Sequence, residues 1–175
     1  MDIIRLASCA STNDEAKRLA REGAPEGTVV TAAQQTAGRG TQGRPWHSGR
    51  GEGLFVSIIL RPPLPAIGLL PLLAAEAVRE AIETVSGVKA EIKRPNDLVW
   101  AGRKLGGILC ESGYVGDRLT FAVVGVGLNI GQSRDDFPAE LRPTAVSIGM
   151  AGGTTLDPES FLVPVVAGVL ARARR

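Results

Sequence analysis

The segment QTAGRGTQGRPW, residues 35–46, sets Gly38, Gly40 and Gly43 around Arg39 and Arg44. Glycine loses more backbone entropy on ordering than any other residue, so the run is costly unless a ligand or a close approach requires it. Its glycines let backbone N–H groups come close to a bound group. Its guanidinium forks match phosphate or carboxylate oxygens. Arg50 adds a third cation nearby, opposed only by Glu52. Trp46 ends the segment, either as a hydrophobic anchor or as a cover for an adenine ring. A Walker A loop would end in Gly-Lys-Ser/Thr, and a dinucleotide fingerprint needs an acidic residue on a second βαβ strand; this segment has neither. The plain alternative is a solvated surface loop.

A second constellation lies in KRPNDLVWAGRKLGGILCE, residues 93–111, with Lys93, Asn96, Asp97 and Lys104. Asn-Asp after Pro is an ordinary turn signal, but two flanking lysines point to an anion. A hairpin about this turn faces Lys93 and Lys104 toward one ligand. In VVGVGLNI, residues 123–130, Gly125 and Gly127 imply close backbone approach within a strand, with Asn129 at its end.

These residues need elements to hold them. DIIRLAS reads as a strand, and Thr12 with Glu15 forms a capping box for a helix that Gly23 stops. Ala16, Leu19 and Ala20 line one face of that helix. GTVVTAAQ is a second strand. LFVSIIL, nearly all apolar, is a central strand ended by Pro62, Pro63 and Pro65. Leu70, Leu73, Ala74, Ala77, Val78 and Ile82 recur at helical spacing and predict a helix over 66–86. VKAEIKR, KLGGILCES and LTFAVVGVGLNI predict a three-strand meander with turns at AGR and VGD. A last helix starts at Asp157-Pro158, and Pro164 should kink or shorten it. The order predicts one α+β domain over residues 1–175, a mixed, mostly antiparallel sheet with helices packed on one side.

Composition narrows the function classes. With 44% hydrophobic and 22% charged residues the chain is globular, and a net charge of +2 argues against DNA as a partner. Two cysteines exclude a disulfide framework and a cysteine-built zinc site; Cys110 reads as a buried thiol. One histidine, His47, excludes mechanisms that need two. The expectation is a cytoplasmic chain with no signal peptide and no membrane span.

STN at 11–13, QTAGRGTQGRPW at 35–46, KRPNDL at 93–98, RKLGGILCE at 103–111 and VGVGLNI at 124–130 together resemble the catalytic domain of biotin protein ligases. They stand in the family's order across most of the chain. The resemblance implies a fold like that of class II aminoacyl-tRNA synthetases. It implies joining of biotin to ATP as biotinyl-5′-AMP, then transfer to a lysine of a biotin carboxyl carrier domain. The catalytic set is then Lys104, Arg39, Lys93 and Asp97. Biotin falls to Ser11, Thr12, Asn13, Gln35, Arg39, Gly40, Thr41, Lys104 and Gly107. ATP falls to Gly38, Arg39, Arg44, Trp46, Asn96 and Asn129. Mg²⁺ accompanies ATP near Asp97 or Asn96, with no ligand set assigned.

The loop should order as ligand binds. Arg94 stands where the family usually has Trp, and Thr41 where it commonly has a basic residue. The reading expects neither an N-terminal helix-turn-helix domain nor a C-terminal β-barrel domain, and no operator binding; a homodimer stays open. The rivals are a lipoate or octanoate ligase or transferase of the same fold, which holds a linear acyl chain, and a biotin-binding module without catalysis.

Overall fold

Every residue of Gly53–Leu60 is buried, which is why the apolar run LFVSIIL lies inside a sheet and not at its edge. The computed structural model describes residues 2–174 except 48, 50, 51 and 155, so Arg50 lies outside the described residues. In chain order the elements are β1 (Asp2–Leu6), α1 (Thr12–Arg21), β2 (Thr28–Ala32), β3 (Gly53–Leu60), α2 (Leu70–Ser86), β4 (Glu91–Lys93), β5 (Asp97–Trp100), β6 (Arg103–Val115), β7 (Arg118–Asn129) and α3 (Glu159–Ala173). The seven strands form one sheet in the order β1-β2-β3-β7-β6-β5-β4. β1 and β2 pair in parallel and all other pairs are antiparallel. The mixed α+β sheet is the one expected.

Strand alternation splits the core in two. Val56, Ile58, Val124 and Val126 point to the face covered by α2 and α3. Ile59, Phe121 and Val123 point to the other face, where Ala16 and Ala20 of α1 pack. The two long helices thus share one side, and α1 is an addition on the opposite one. Gly87, at φ +77°, ends α2 and donates its N–H to the Glu83 carbonyl.

Three local expectations are corrected. The capping box does not form: Ser11 precedes α1, Thr12 is its first residue, and the Thr12 hydroxyl turns into the site described below. Asp97–Trp100 is a strand of its own, so the meander has four strands and Lys93 and Lys104 do not flank a single hairpin. A two-residue turn with Ala101 at φ +47° and Gly102 at φ +74° then joins β5 to β6. Finally, α3 runs unbroken through Pro164 to Ala173. It begins one residue later than expected, with Pro158 at the N-cap, and Asp157 just before it accepts from the Glu159 N–H at 3.1 Å and the Ser160 hydroxyl at 3.0 Å.

Burial pushes the Cys110 thiol up to about 12, as expected for an inert cysteine. Among the described residues no helix is long and apolar enough to cross a membrane.

Candidate active site

Residues 36–46 fold as a small hairpin. Arg39 bridges to Pro45, the Gly40 N–H donates to the Arg44 carbonyl (2.7 Å), and the Trp46 N–H donates to the Gly38 carbonyl (2.9 Å). The hairpin lies against β6 and β7 because β7 has glycine where it arrives. A Cβ on Gly127 would stand 2.7 Å from Trp46 Cε2, and one on Gly125 would stand 2.1 Å from Asn13 Oδ1. The close approach read from VGVG is met by these two side chains. Trp46 is therefore an anchor, and its faces also form walls.

Two clefts adjoin at that ring. The first encloses about 450 Å³ and is lined by Ser11, Thr12, Asn13, Gln35, Arg39, Gly40, Thr41, Lys104 and Gly107, all nine residues assigned to biotin, together with Trp46 and Asn96. The second encloses about 720 Å³ and is lined by Arg44, Trp46, His47, Asn129, Phe137 and Leu141 among others. Gly40, Thr41, Trp46 and Lys104 line both. Among the described residues no carboxylate lines either cleft, and the charged side chains there are Arg39, Arg44 and Lys104.

Lys104 stands at the junction. Its Nζ lies 2.7 Å from Asp97 Oδ1 and 5.6 Å from the Trp46 ring centroid. Its backbone is pinned on both sides: its N–H donates to the Thr144 carbonyl (2.7 Å) and its carbonyl accepts from the Val146 N–H (2.9 Å). Asn129, buried at the end of β7, donates to the Val146 carbonyl at 3.1 Å and so braces the same segment. Asn96 donates to the Ile108 carbonyl at 2.9 Å and fixes the turn between β4 and β5.

The floor of the first cleft is polar and neutral. Gln35 Oε1 accepts from the Thr12 N–H (2.8 Å) and lies 3.1 Å from the Thr12 hydroxyl. Ser57, fully buried in β3, lies 2.8 Å from Thr12 Oγ1 and 2.6 Å from Asn13 Oδ1. Asn13 donates to Glu111 Oε2 at 2.8 Å. Both ends of the Asn13 amide are thus taken by the protein, so it supports the floor, while Thr12 and Gln35, bonded to each other, line the cavity.

Arg39 makes two hydrogen bonds of 2.6 Å to Asp14, one from each Nη. These bonds hold the Asp14 carboxyl at about 2, against the opposing effect of partial burial. Arg44 reaches Thr41 Oγ1 at 3.5 Å and lines the second cleft, so it brings charge to the wall where position 41 has none.

Two expected site residues are placed elsewhere. Lys93 is exposed on the edge strand β4 and lines neither cleft, because β5 intervenes between it and Lys104. Gly38 lines neither cleft and contributes its carbonyl to the hairpin. Asp97 is ion-paired to Lys104 at 2.7 Å. Sequence reasoning missed Asp14, Ser57, Glu111 and the wall built by Phe137, Leu141, Thr144 and Ala145. A serine inside LFVSIIL was a signal for the second; the wall lies in an irregular segment with no periodicity to read.

A mixed seven-stranded sheet carries two adjoining clefts, one with a neutral polar floor and both with cationic rims, an arrangement suited to anionic ligands. The chain belongs to the Biotin/lipoate A/B protein ligase family, whose model matches residues 6–129. It is 46% identical over 150 residues to the "Bifunctional ligase/repressor BirA" of Bacillus spizizenii, covering 85% of this chain and 46% of that protein. The chain thus spans about half the length of this relative. It is 37% identical over 162 residues to the "Biotin--[acetyl-CoA-carboxylase] ligase" of Paracoccus denitrificans, covering 90% of this chain and 67% of that one. In structure it matches the biotin protein ligase from Aquifex aeolicus in complex with biotin and ATP, with a TM-score of 0.83 and 29% identity over 98% of this chain and 69% of the other. It also matches that from Leishmania major in complex with biotinyl-5-AMP, with a TM-score of 0.82 and 26% identity over 96% of this chain and 73% of the other.

Proposed function

We propose that this chain is a biotin–protein ligase domain that forms biotinyl-5′-AMP and passes biotin to a lysine of a biotin carboxyl carrier domain. The observation that carries the reading is Lys104, whose ammonium sits where the biotin cleft and the nucleotide cleft meet. A carboxylate oxygen of biotin attacks the α-phosphorus of ATP, and the bond to pyrophosphate breaks with its electron pair leaving on pyrophosphate. Two anions must approach for this, and Lys104 with Arg39 and Arg44 offsets their repulsion in a site shielded by Trp46. The carrier lysine then attacks the acyl carbon, loses a proton, and AMP departs.

Thr12 and Gln35 favour biotin over lipoate. A ureido ring offers both donors and acceptors to this polar floor, whereas a hydrocarbon or dithiolane offers none. Mg²⁺ would enter with ATP, near Asn96 or Asp97, and would offset the charge of the phosphates. We place the reaction in the cytoplasm, where ATP is supplied, and leave subunit number to sedimentation.

ATP–pyrophosphate exchange tests the reading. Exchange that depends on biotin and not on lipoate is the expected result. Exchange with lipoate alone would favour the lipoate reading. Biotin binding with no exchange would make the chain a binding module.

A further inference from the structure

Arg39 does not meet Asp14 in isolation. Lys17 Nζ lies 3.1 Å from Asp14 Oδ1 and 2.6 Å from Glu111 Oε1, and Glu111 Oε2 lies 3.9 Å from Arg39 Nη2. Two cations and two carboxylates thus close a ring that joins the hairpin, α1 and β6. Asp14 is the third residue of α1, directly after Thr12 and Asn13, which line the floor of the first cleft. The hairpin is therefore fastened to the helical turn that carries the floor. α1 itself is seated by fully buried Ala16 and nearly buried Ala20, so it is the fixed partner.

A guanidinium carries five N–H donors in a planar fork, and the paired bonds to Asp14 use two of them. The fork's plane is set by those two bonds. Arg39 also lines the first cleft, so the fork that Asp14 orients borders the ligand space. We infer that Asp14 is a positioning residue that latches the arginine-bearing hairpin across the biotin cleft and thereby slows escape of the bound acyl adenylate. The ligand in this statement rests on the function proposed above; the latch does not. Asp14 near the start of α1 also favours the helix dipole, which is the structural role to be separated from the latch.

Hydrogen exchange in the ligand-free protein tests the latch directly. Asp14→Asn keeps the side-chain shape and removes the charge. It should speed exchange of the Gly40 and Trp46 amides, which close the hairpin, by about fivefold, as expected for loss of a well-formed, partly exposed ion pair. Added to Arg39→Gln, the same substitution should change those amides no further. Unchanged exchange in Asp14→Asn would overturn the latch. So would an undiminished effect in the Arg39→Gln background, because Asp14 would then act through α1 alone. Release of preformed biotinyl-5′-AMP should likewise be about fivefold faster in Asp14→Asn. Faster amide exchange with unchanged release would overturn the retention role. If the wild-type protein forms no adenylate, the proposed function fails while the amide measurement still decides the latch.

Discussion

Lys104 is held by its backbone and leaves its side chain free for chemistry. The side chain is 41% exposed and ends in its ion pair with Asp97 beside the Trp46 ring, while Thr144 and Val146 pin the main chain. Lys104→Ala should therefore lower biotin-dependent exchange by about 10²–10³-fold, the scale of losing one group aimed at developing charge, with thermal stability unchanged. Near-normal exchange would remove Lys104 from the reaction. Asp14 makes a prediction of a different kind. Its carboxyl is held at about 2 in the folded chain, below the ordinary range near 3.9. A depressed acid contributes stability that is complete above its unfolded value and is lost as pH falls through its folded value. The stability difference between wild type and Asp14→Asn should thus shrink from about pH 4 to about pH 2. Because the side chain is 43% exposed, the difference should be small throughout. A difference that does not shrink would show that the carboxylate's charge is not its source. At this scale the sequence singled out Lys104 by its charge, and Gln35 and Thr12 by family resemblance, and the fold brings all three to the first cleft. It was silent on Asp14 and Glu111, which look like any solvated helix or strand acid until the fold brings Arg39 to them.

The elements were legible where periodicity was strong. LFVSIIL and the Leu70–Ile82 spacing placed β3 and α2 within a few residues. Asp97–Trp100 was read as part of a turn, because four residues between a Pro-Asn turn and an Ala-Gly turn offer almost no alternation to count. Glycines inside β7 were the more informative signal. Gly125→Ala would drive a methyl to 2.1 Å from Asn13 Oδ1, in a network buried on both sides. It should cost about 1–3 kcal/mol of unfolding free energy, measured in urea. Gly127→Ala would press on the Trp46 ring, which rides on a hairpin that can yield. Its cost should appear as weaker binding of biotin and nucleotide, with stability nearly unchanged. The reverse pattern would mean that the hairpin is the stiffer of the two.

At the scale of the molecule, the sheet sorts the work by face. α2 and α3 bury the larger core, and α1 on the other side carries the floor and the latch. Strand order and the helix on the second face were not legible, since pairing between β3 and β7 joins segments more than sixty residues apart and no local pattern encodes it. Four residues line both clefts, so filling one should order the wall of the other. Biotin alcohol, which lacks the carboxylate and its repulsion, should tighten binding of a non-hydrolysable ATP analogue by about fivefold or more, and the analogue should tighten biotin alcohol by the same factor. Independent binding would mean that the shared wall is already set. That wall has one more consequence. The chain has two tryptophans, Trp46 in the wall and Trp100 at the far turn of β5. Trp100→Phe leaves a single intrinsic fluorophore between the two clefts, beside an ammonium group. Its emission then reports each ligand's arrival without any attached dye, turning the anchor of the hairpin into the protein's own optical readout.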